Sequence, residues 1–143
     1  MKANNIKEKF YFKLNNNISE YSNLISNYSI SPNNHFEVKY DLYISELKDF
    51  SSLFNLPFFR KPLLLFYLDK LCSVFYKFQG NQLEYLDKIL KEFIPNELYI
   101  TRVKSESIVY RLEEDLIIHV RYKDDDTTGL CMKNKQFHED GLK

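Results

Sequence analysis

The sequence predicts an α+β domain, in which two main helices at about residues 61–79 and 82–94 pack on one face of an antiparallel sheet of four to six strands. Residues 61–78 place apolar side chains at the three- and four-residue spacing of a helical face. Residues 36–44 alternate between apolar and polar side chains, as half-buried strands do. The chain between residues 98 and 122 is rich in β-branched and aromatic residues, and its short polar breaks favour antiparallel strands.

The chain before the first main helix contains weaker signals. Alternation over residues 10–14 predicts a short strand, and the apolar spacing of residues 19–28 predicts three turns of helix. Residues 36–44 form the clearest strand pattern of the whole chain. Residues 46–60 are interrupted by Pro57 and by serines, so an irregular linker with a helical turn is expected there.

Residues 61–78 are expected to form the element around which the rest of the chain packs. Pro62 suits the first turn of a helix, and Gly80 suits the position just past its end. Apolar side chains cover most of the circumference of this helix, which is typical of a helix buried against a sheet. The residues of its main apolar face are Leu64, Leu68, Leu71, Phe75 and Phe78.

The second main helix is predicted after Gly80. Asn81 can cap it, Glu84 stands in the capping-box position, and Pro95 ends it. A hairpin around Gly80-Asn81 is the alternative, and the helical periodicity on both sides disfavours it.

The last third of the chain is predicted to be a meander. Three strands are expected at residues 98–103, 107–112 and 116–122, and a short fourth strand at residues 130–132. A loose tail is expected from about residue 133. Residues 1–143 together have the length of one domain.

Composition argues against several classes of protein. Twenty basic and twenty acidic residues cancel, so no global field favours nucleic acid or an anionic membrane. Cys72 and Cys131 are too few for a disulfide framework, and a reducing, cytoplasmic location is expected. The longest apolar run covers residues 63–68, far short of a membrane-spanning helix, and the N-terminus lacks the apolar segment of a signal peptide.

Motifs for catalysis, metal binding and cofactor binding are not recognised. Cys131 and His138 lack the short spacing of structural zinc ligands, and the three glycines stand apart from one another. Neither a metal site nor a cofactor is therefore expected. The alternative is a metal-dependent hydrolase acting on nucleic acid, in which Glu37 would bind Mg²⁺ and Lys39 would orient a water. The acids that could complete that site are Glu20 and Asp41.

Acidic residues are concentrated in residues 105–126, where seven acids outnumber three bases. The acidic turns at 113–115 and 124–126 flank one predicted strand and are expected at its opposite ends. Acids commonly populate solvated turns, and this is the simpler interpretation. The functional one is an acidic edge that binds a basic partner, with tyrosines as anchors. The predicted partner-binding residues are Glu113, Glu114, Asp115, Asp124, Asp125, Asp126, Tyr110 and Tyr122.

These observations favour a small bacterial interaction protein rather than an enzyme. The specific hypothesis is an immunity or antitoxin protein that binds and blocks a basic toxin, such as a nuclease. The size of one domain, the lack of a catalytic motif and the uneven charge motivate it. The expected partner is a protein, without direct contact to nucleic acid or to a membrane.

Overall fold

The computed structural model describes residues 3–27, 41–112 and 116–135. Their one α-helix is α1 (Leu83–Phe93), and short 3-10 helices span Ala3–Lys9, Ile18–Tyr21 and Glu97–Tyr99. The strands are β1 (Ile25–Asn27), β2 (Asp41–Ser45), β3 (Ser52–Leu53), β4 (Leu56–Tyr67), β5 (Lys70–Gln79), β6 (Ile100–Lys104), β7 (Ser107–Arg111), β8 (Leu116–Lys123) and β9 (Thr127–Asn134). They form one antiparallel sheet in the order β1-β2-β4-β5-β9-β8-β7-β6, and β3 pairs with β4.

The helix predicted at residues 61–79 is wrong, because this segment belongs to the β4–β5 hairpin. Its turn residues Leu68 and Asp69 both have positive φ, 50° and 65°, as in the tightest hairpin turns. Nearly every position from 62 to 66 is apolar and buried, which fits a strand covered on both faces as well as a helix. The prediction of four to six strands with two main helices is therefore corrected to nine strands and one α-helix within the described residues.

Other predicted elements are present. The second predicted helix is confirmed as α1, whose apolar side chains Leu86 and Leu90 are buried. The meander is confirmed as β6 to β9, since these strands pair successively as β6-β7-β8-β9. β9 continues through Asn134, so the chain is still in the sheet at residue 133, where the tail was expected to begin.

Two predictions for the N-terminal part of the chain are wrong. Residues 10–14 form no strand; they follow the first 3-10 helix and bury Phe10 and Phe12 in the core. The helix expected at 19–28 is replaced by the 3-10 turn Ile18–Tyr21 and β1. β2 contains the end of the strand predicted at 36–44, whose earlier residues lie outside the described ranges. The supposed linker contains β3 and the start of β4.

The sheet has two faces, and the main core lies on one of them. Side chains that pair across strands share a face, so the register assigns each residue to one of the two. The first face carries the main core beneath α1 and the N-terminal 3-10 helix. Core residues of this face include Leu64, Phe66, Val74, Tyr76, Tyr110, Ile118, Leu130 and Met132. We call the opposite side the second face.

Candidate functional site

Two turns meet at one end of the sheet. The β6–β7 turn carries Glu106, and the β8–β9 turn carries Asp124, Asp125 and Asp126. Tyr122 joins the two turns, because its backbone N–H donates to the carbonyl oxygen of Glu106 at 2.9 Å and its hydroxyl donates to the Asp126 carboxylate at 2.7 Å. We call Glu106 and Asp124–Asp126 the acidic end.

Hydrogen bonds stabilise the ionised form of two carboxylates of the acidic end, those of Asp125 and Glu106. The Thr127 hydroxyl and the Lys77 ammonium, which lies 3.2 Å away, both donate to Asp125 and lower the pKa of its carboxyl. A hydrogen bond from the Ser105 hydroxyl, 2.6 Å long, lowers the pKa of Glu106. The carboxylate of Asp126 raises the pKa of the Tyr122 phenol that donates to it. This end of the sheet is therefore anionic at neutral pH.

The β8–β9 turn is anchored to the connection between β5 and α1. The Gly80 N–H donates to the carbonyl oxygen of Asp126 at 2.8 Å. The buried Thr128 hydroxyl donates to the Gly80 carbonyl at 2.7 Å and accepts from the Gln82 N–H at 2.8 Å. These bonds hold the turn in one place, including Asp126 in the left-handed region with φ of 60°.

The structure brings together only some of the predicted binding residues. Tyr122 and Asp124–Asp126 adjoin one another, together with Glu106, which the sequence prediction had not included. Tyr110 is fully buried, so it is not part of any exposed edge. Its hydroxyl donates to Asp87 at 2.7 Å, and burial together with that carboxylate raises its pKa. Residues 113–115, the other predicted acidic turn, lie outside the described residues.

A row of basic side chains crosses the second face beside the acidic end. Arg121 on β8 is the direct cross-strand partner of Gly129 on β9; Gly129 in turn pairs with Lys77 on β5, and Lys77 with Arg60 on β4. The side chain of Lys123 lies over Gly129, with its Cε 3.4 Å from the position that a Cβ would take there. We call Arg60, Lys77, Arg121 and Lys123 the basic strip.

Sequence reasoning missed the basic strip. Its four residues come from β4, β5 and β8, and only the insertion of β9 between β5 and β8 makes them neighbours. No local sequence pattern predicts that these four residues form a row. The one signal in the sequence is period-two alternation, which assigns Arg121 and Lys123 to the same face of one strand.

The described cysteines are unsuited to nucleophilic chemistry. Cys131 and His119 are cross-strand partners, but Cys131 Sγ contacts the Ser73 hydroxyl at 3.1 Å, and burial raises its pKa. His119 Nε2 is hydrogen-bonded to the Ser107 hydroxyl at 2.6 Å. Burial also raises the pKa of Cys72 to about 12. Both thiols are therefore protonated at neutral pH, whereas a nucleophile must be a thiolate.

The hydrolase alternative falls mainly outside the described ranges. Glu37 and Lys39 are not among the described residues, and Glu20 and Asp41 are exposed on separate elements, so that hypothesis stays a prediction. Within residues 3–27, 41–112 and 116–135, no group of three or more His, Cys, Asp or Glu residues could hold a metal ion.

Among the described residues, none of the helices is both long and apolar enough to cross a membrane. No protein-family model matches the chain, and neither a curated protein nor a solved structure is significantly similar to it.

Proposed function

We propose that the protein is a stoichiometric inhibitor of the immunity or antitoxin type, which binds a basic toxin, such as a nuclease, with its acidic end. The observation that carries this proposal is the link that Tyr122 makes between the two turns. It joins the turn that carries Glu106 to the turn that carries Asp124–Asp126, so these acidic residues lie at one end of the sheet. Grouped carboxylates attract a cationic surface and increase the rate of association.

Apolar and aromatic side chains next to these carboxylates would provide the buried contacts that charge alone does not. Val103 precedes the β6–β7 turn and is 57% exposed, and Tyr122, near the end of β8, is half-buried. Desolvated anchors of this kind contribute most of the binding energy at protein interfaces, while the surrounding charges orient the partner.

The acidic end is also rigid. Asp126, Gly80 and Thr128 are joined by hydrogen bonds of 2.7 and 2.8 Å, so the β8–β9 turn has little conformational freedom to lose on binding. As part of this proposal we place the protein in the cytoplasm, where its two free cysteines would stay reduced.

Co-expression with the neighbouring genes tests this function. Each adjacent gene is expressed in a bacterial host alone and together with this chain. We expect one product to arrest growth and this chain to restore it, with a one-to-one complex recovered by size exclusion. Replacing Asp124→Asn and Asp126→Asn should weaken that complex about tenfold or more, because two charge-assisted contacts are lost.

The matched control is Glu92→Gln with Glu97→Gln, which removes the same charge from exposed positions on and after α1. This variant should restore growth as well as the wild type does. Absence of a toxic neighbouring product would refute the inhibitor function. Rescue and affinity that are unchanged in the Asp124→Asn, Asp126→Asn variant would refute the acidic end as the binding surface.

A further inference from the structure

We propose that the basic strip on the second face binds single-stranded nucleic acid, with phosphates on Arg60, Arg121 and Lys123 and a base stacked on Phe59. This inference concerns a surface other than the acidic end and a ligand other than the toxin. Three features of the described residues support it: the row of like charges, the shortage of carboxylates that face it, and an exposed aromatic ring beside it.

The register of the sheet aligns the cations in one row. Arg121, Gly129, Lys77 and Arg60 occupy successive cross-strand positions on β8, β9, β5 and β4. Neighbouring strands are about 4.8 Å apart, so the row spans roughly 14 Å across the sheet. That length suits an extended anionic chain that lies across the strands and contacts more than one cation at once.

Asp125 and Glu106 lie near these cations, but among the described residues only Asp125 forms an ion pair with one of them. Lys77 forms an ion pair with Asp125, whereas the side chains of Arg60, Arg121 and Lys123 form no hydrogen bond or ion pair with any described residue. Like charges that face one another across strands destabilise a sheet. Burial, followed by the nearby charges of Lys77 and Arg60, lowers the pKa of the Lys123 ammonium, and the Asp125 carboxylate partly opposes this shift. A bound phosphate chain would relieve this repulsion, as counterions do around any cationic site.

β4 is irregular at the strip, and Phe59 lies at one of its irregularities. The register between β4 and β5 shifts between Phe58 and Arg60 and again between Arg60 and Leu63. Such bulges turn side chains to new directions. Phe59 is 52% exposed, and the Lys77 ammonium lies 5.6 Å from its ring centroid. An exposed aromatic ring beside cations is the combination on which single-stranded bases stack.

Gly129 has no side chain, so it leaves space above the β9 backbone in the middle of the basic strip. The stem of Lys123 crosses the space above it, within van der Waals contact of where a Cβ would stand. The Lys123 ammonium therefore lies in the same row as Arg121 and Lys77, near the backbone of β9. Two of the four cations are arginines, whose forked donors bind phosphate in a bidentate manner. Together with Phe59, they favour a nucleic acid over an acidic protein segment.

Fluorescence anisotropy with labelled oligonucleotides tests the proposal. Single-stranded oligothymidylate and oligouridylate of about 20 nucleotides are titrated with the full chain at several salt concentrations. We expect saturable binding. The logarithm of the association constant should fall linearly with the logarithm of the salt concentration, with a slope of about 0.7 per phosphate contact. Replacing Arg121→Gln and Lys123→Gln should weaken binding about tenfold or more and reduce that slope by about 1.4.

Phe59→Ser provides a second and different signature. It should weaken binding about fivefold or more without changing the salt slope, because stacking is lost and charge is kept. The control is Lys9→Gln with Lys88→Gln, two exposed lysines on elements that cover the opposite face, and it should bind as the wild type does. Asp124→Asn with Asp126→Asn should not weaken oligonucleotide binding, which separates this test from that of the inhibitor function.

Several outcomes would overturn the proposal. Failure of the wild-type protein to bind either oligonucleotide at low salt would overturn it. So would a loss of affinity in the lysine control equal to that in the Arg121→Gln, Lys123→Gln variant. Binding of a polyglutamate peptide as tightly as the oligonucleotides, with no effect of Phe59→Ser, would assign the strip to an acidic protein surface instead. Circular dichroism of each exposed-site variant checks that it is folded.

Discussion

Two buried tyrosines show how a single hydroxyl group affects stability. Tyr76 and Tyr110 both lie in the core on the first face of the sheet. The hydroxyl of Tyr110 donates to Asp87, which also forms an ion pair with Lys91 at 3.0 Å. The hydroxyl of Tyr76 has no hydrogen-bond partner among the described residues. A buried polar group without a partner retains its desolvation penalty, so the two side chains should respond in opposite ways to loss of the hydroxyl.

Tyr76→Phe should raise the free energy of unfolding by about 1 kcal/mol, because it removes an unpaired buried hydroxyl. Tyr110→Phe should lower the free energy of unfolding by about 1.5–3 kcal/mol, because the buried Asp87 carboxylate loses a donor. Urea unfolding followed by circular dichroism measures both. Tyr99→Phe, at a partly exposed ring, serves as the control and should change little. Destabilisation of similar size in both core variants would contradict this account.

At the scale of elements, the β4–β5 hairpin is the most informative part of the fold. It turns at Leu68 and Asp69, which both take positive φ. Glycine adopts this region freely and Asn and Asp adopt it more readily than most residues, whereas a leucine there is strained. Leu68 is also 75% exposed, so the turn position gains little from burial of the leucine. The sheet tolerates this turn because both strands are paired on their outer sides as well, with β2 and β9.

Replacing Leu68→Asn and Asp69→Gly should stabilise the protein by about 1 kcal/mol, because this pair suits positive φ at both turn positions. Thermal and urea unfolding of the variant measure the gain. Leu98→Asn is the matched control, since that leucine is 88% exposed and does not have positive φ. Its free energy of unfolding should stay within about 0.5 kcal/mol of the wild type. An equal gain in both variants would show that the effect comes from replacing an exposed leucine with a polar residue, and not from relief of backbone strain.

The edge strand β6 shows a second element-scale feature. Its register with β7 shifts between Arg102 and Lys104, and four of its five residues are exposed. A bulge and charged side chains on an edge hinder pairing with the strands of other molecules. The exposed edge is therefore protected against edge-to-edge strand pairing and aggregation.

At the scale of the whole molecule, one pair of strands joins two halves of the sheet. One half consists of β1 to β5 and the other of β6 to β9, and seven successive residues of β5 and β9 pair directly across the junction between them. On one side lies β4, which pairs with β5, and on the other lies β8, which pairs with β9. The core on the first face runs across the junction without interruption, from Leu64 through Val74 and Met132 to Ile118.

We therefore expect the two halves to unfold together. Native-state hydrogen exchange should give the buried amides of β4, β5, β9 and β8 one common free energy of opening, equal to that of global unfolding. Amides of the edge strand β6 should exchange faster, because edge strands open locally. Exchange of β8 and β9 at a distinctly lower free energy than β4 and β5 would show that the halves are separate cooperative units and contradict this expectation.

Local sequence patterns determined the elements whose signals lie within a short window. α1 follows from its apolar spacing between Gly80 and Pro95, and the strands from β6 to β9 follow from β-branched runs with polar breaks. Such signals depend on propensity and chain punctuation, which act between near neighbours. The acidic β8–β9 turn was likewise visible as three consecutive aspartates.

Only the tertiary structure decided the rest. Residues 61–78 are apolar at almost every buried position, so their pattern fits a helix and a strand alike. Pairing with β2 and β9 decided in favour of strands. The pairing of all the strands into one sheet likewise placed Tyr110 in the core and aligned Arg60, Lys77 and Arg121 in one row. Strand pairing joins residues far apart in sequence. Its free energy depends on which neighbours a strand finds, and no local window contains that information.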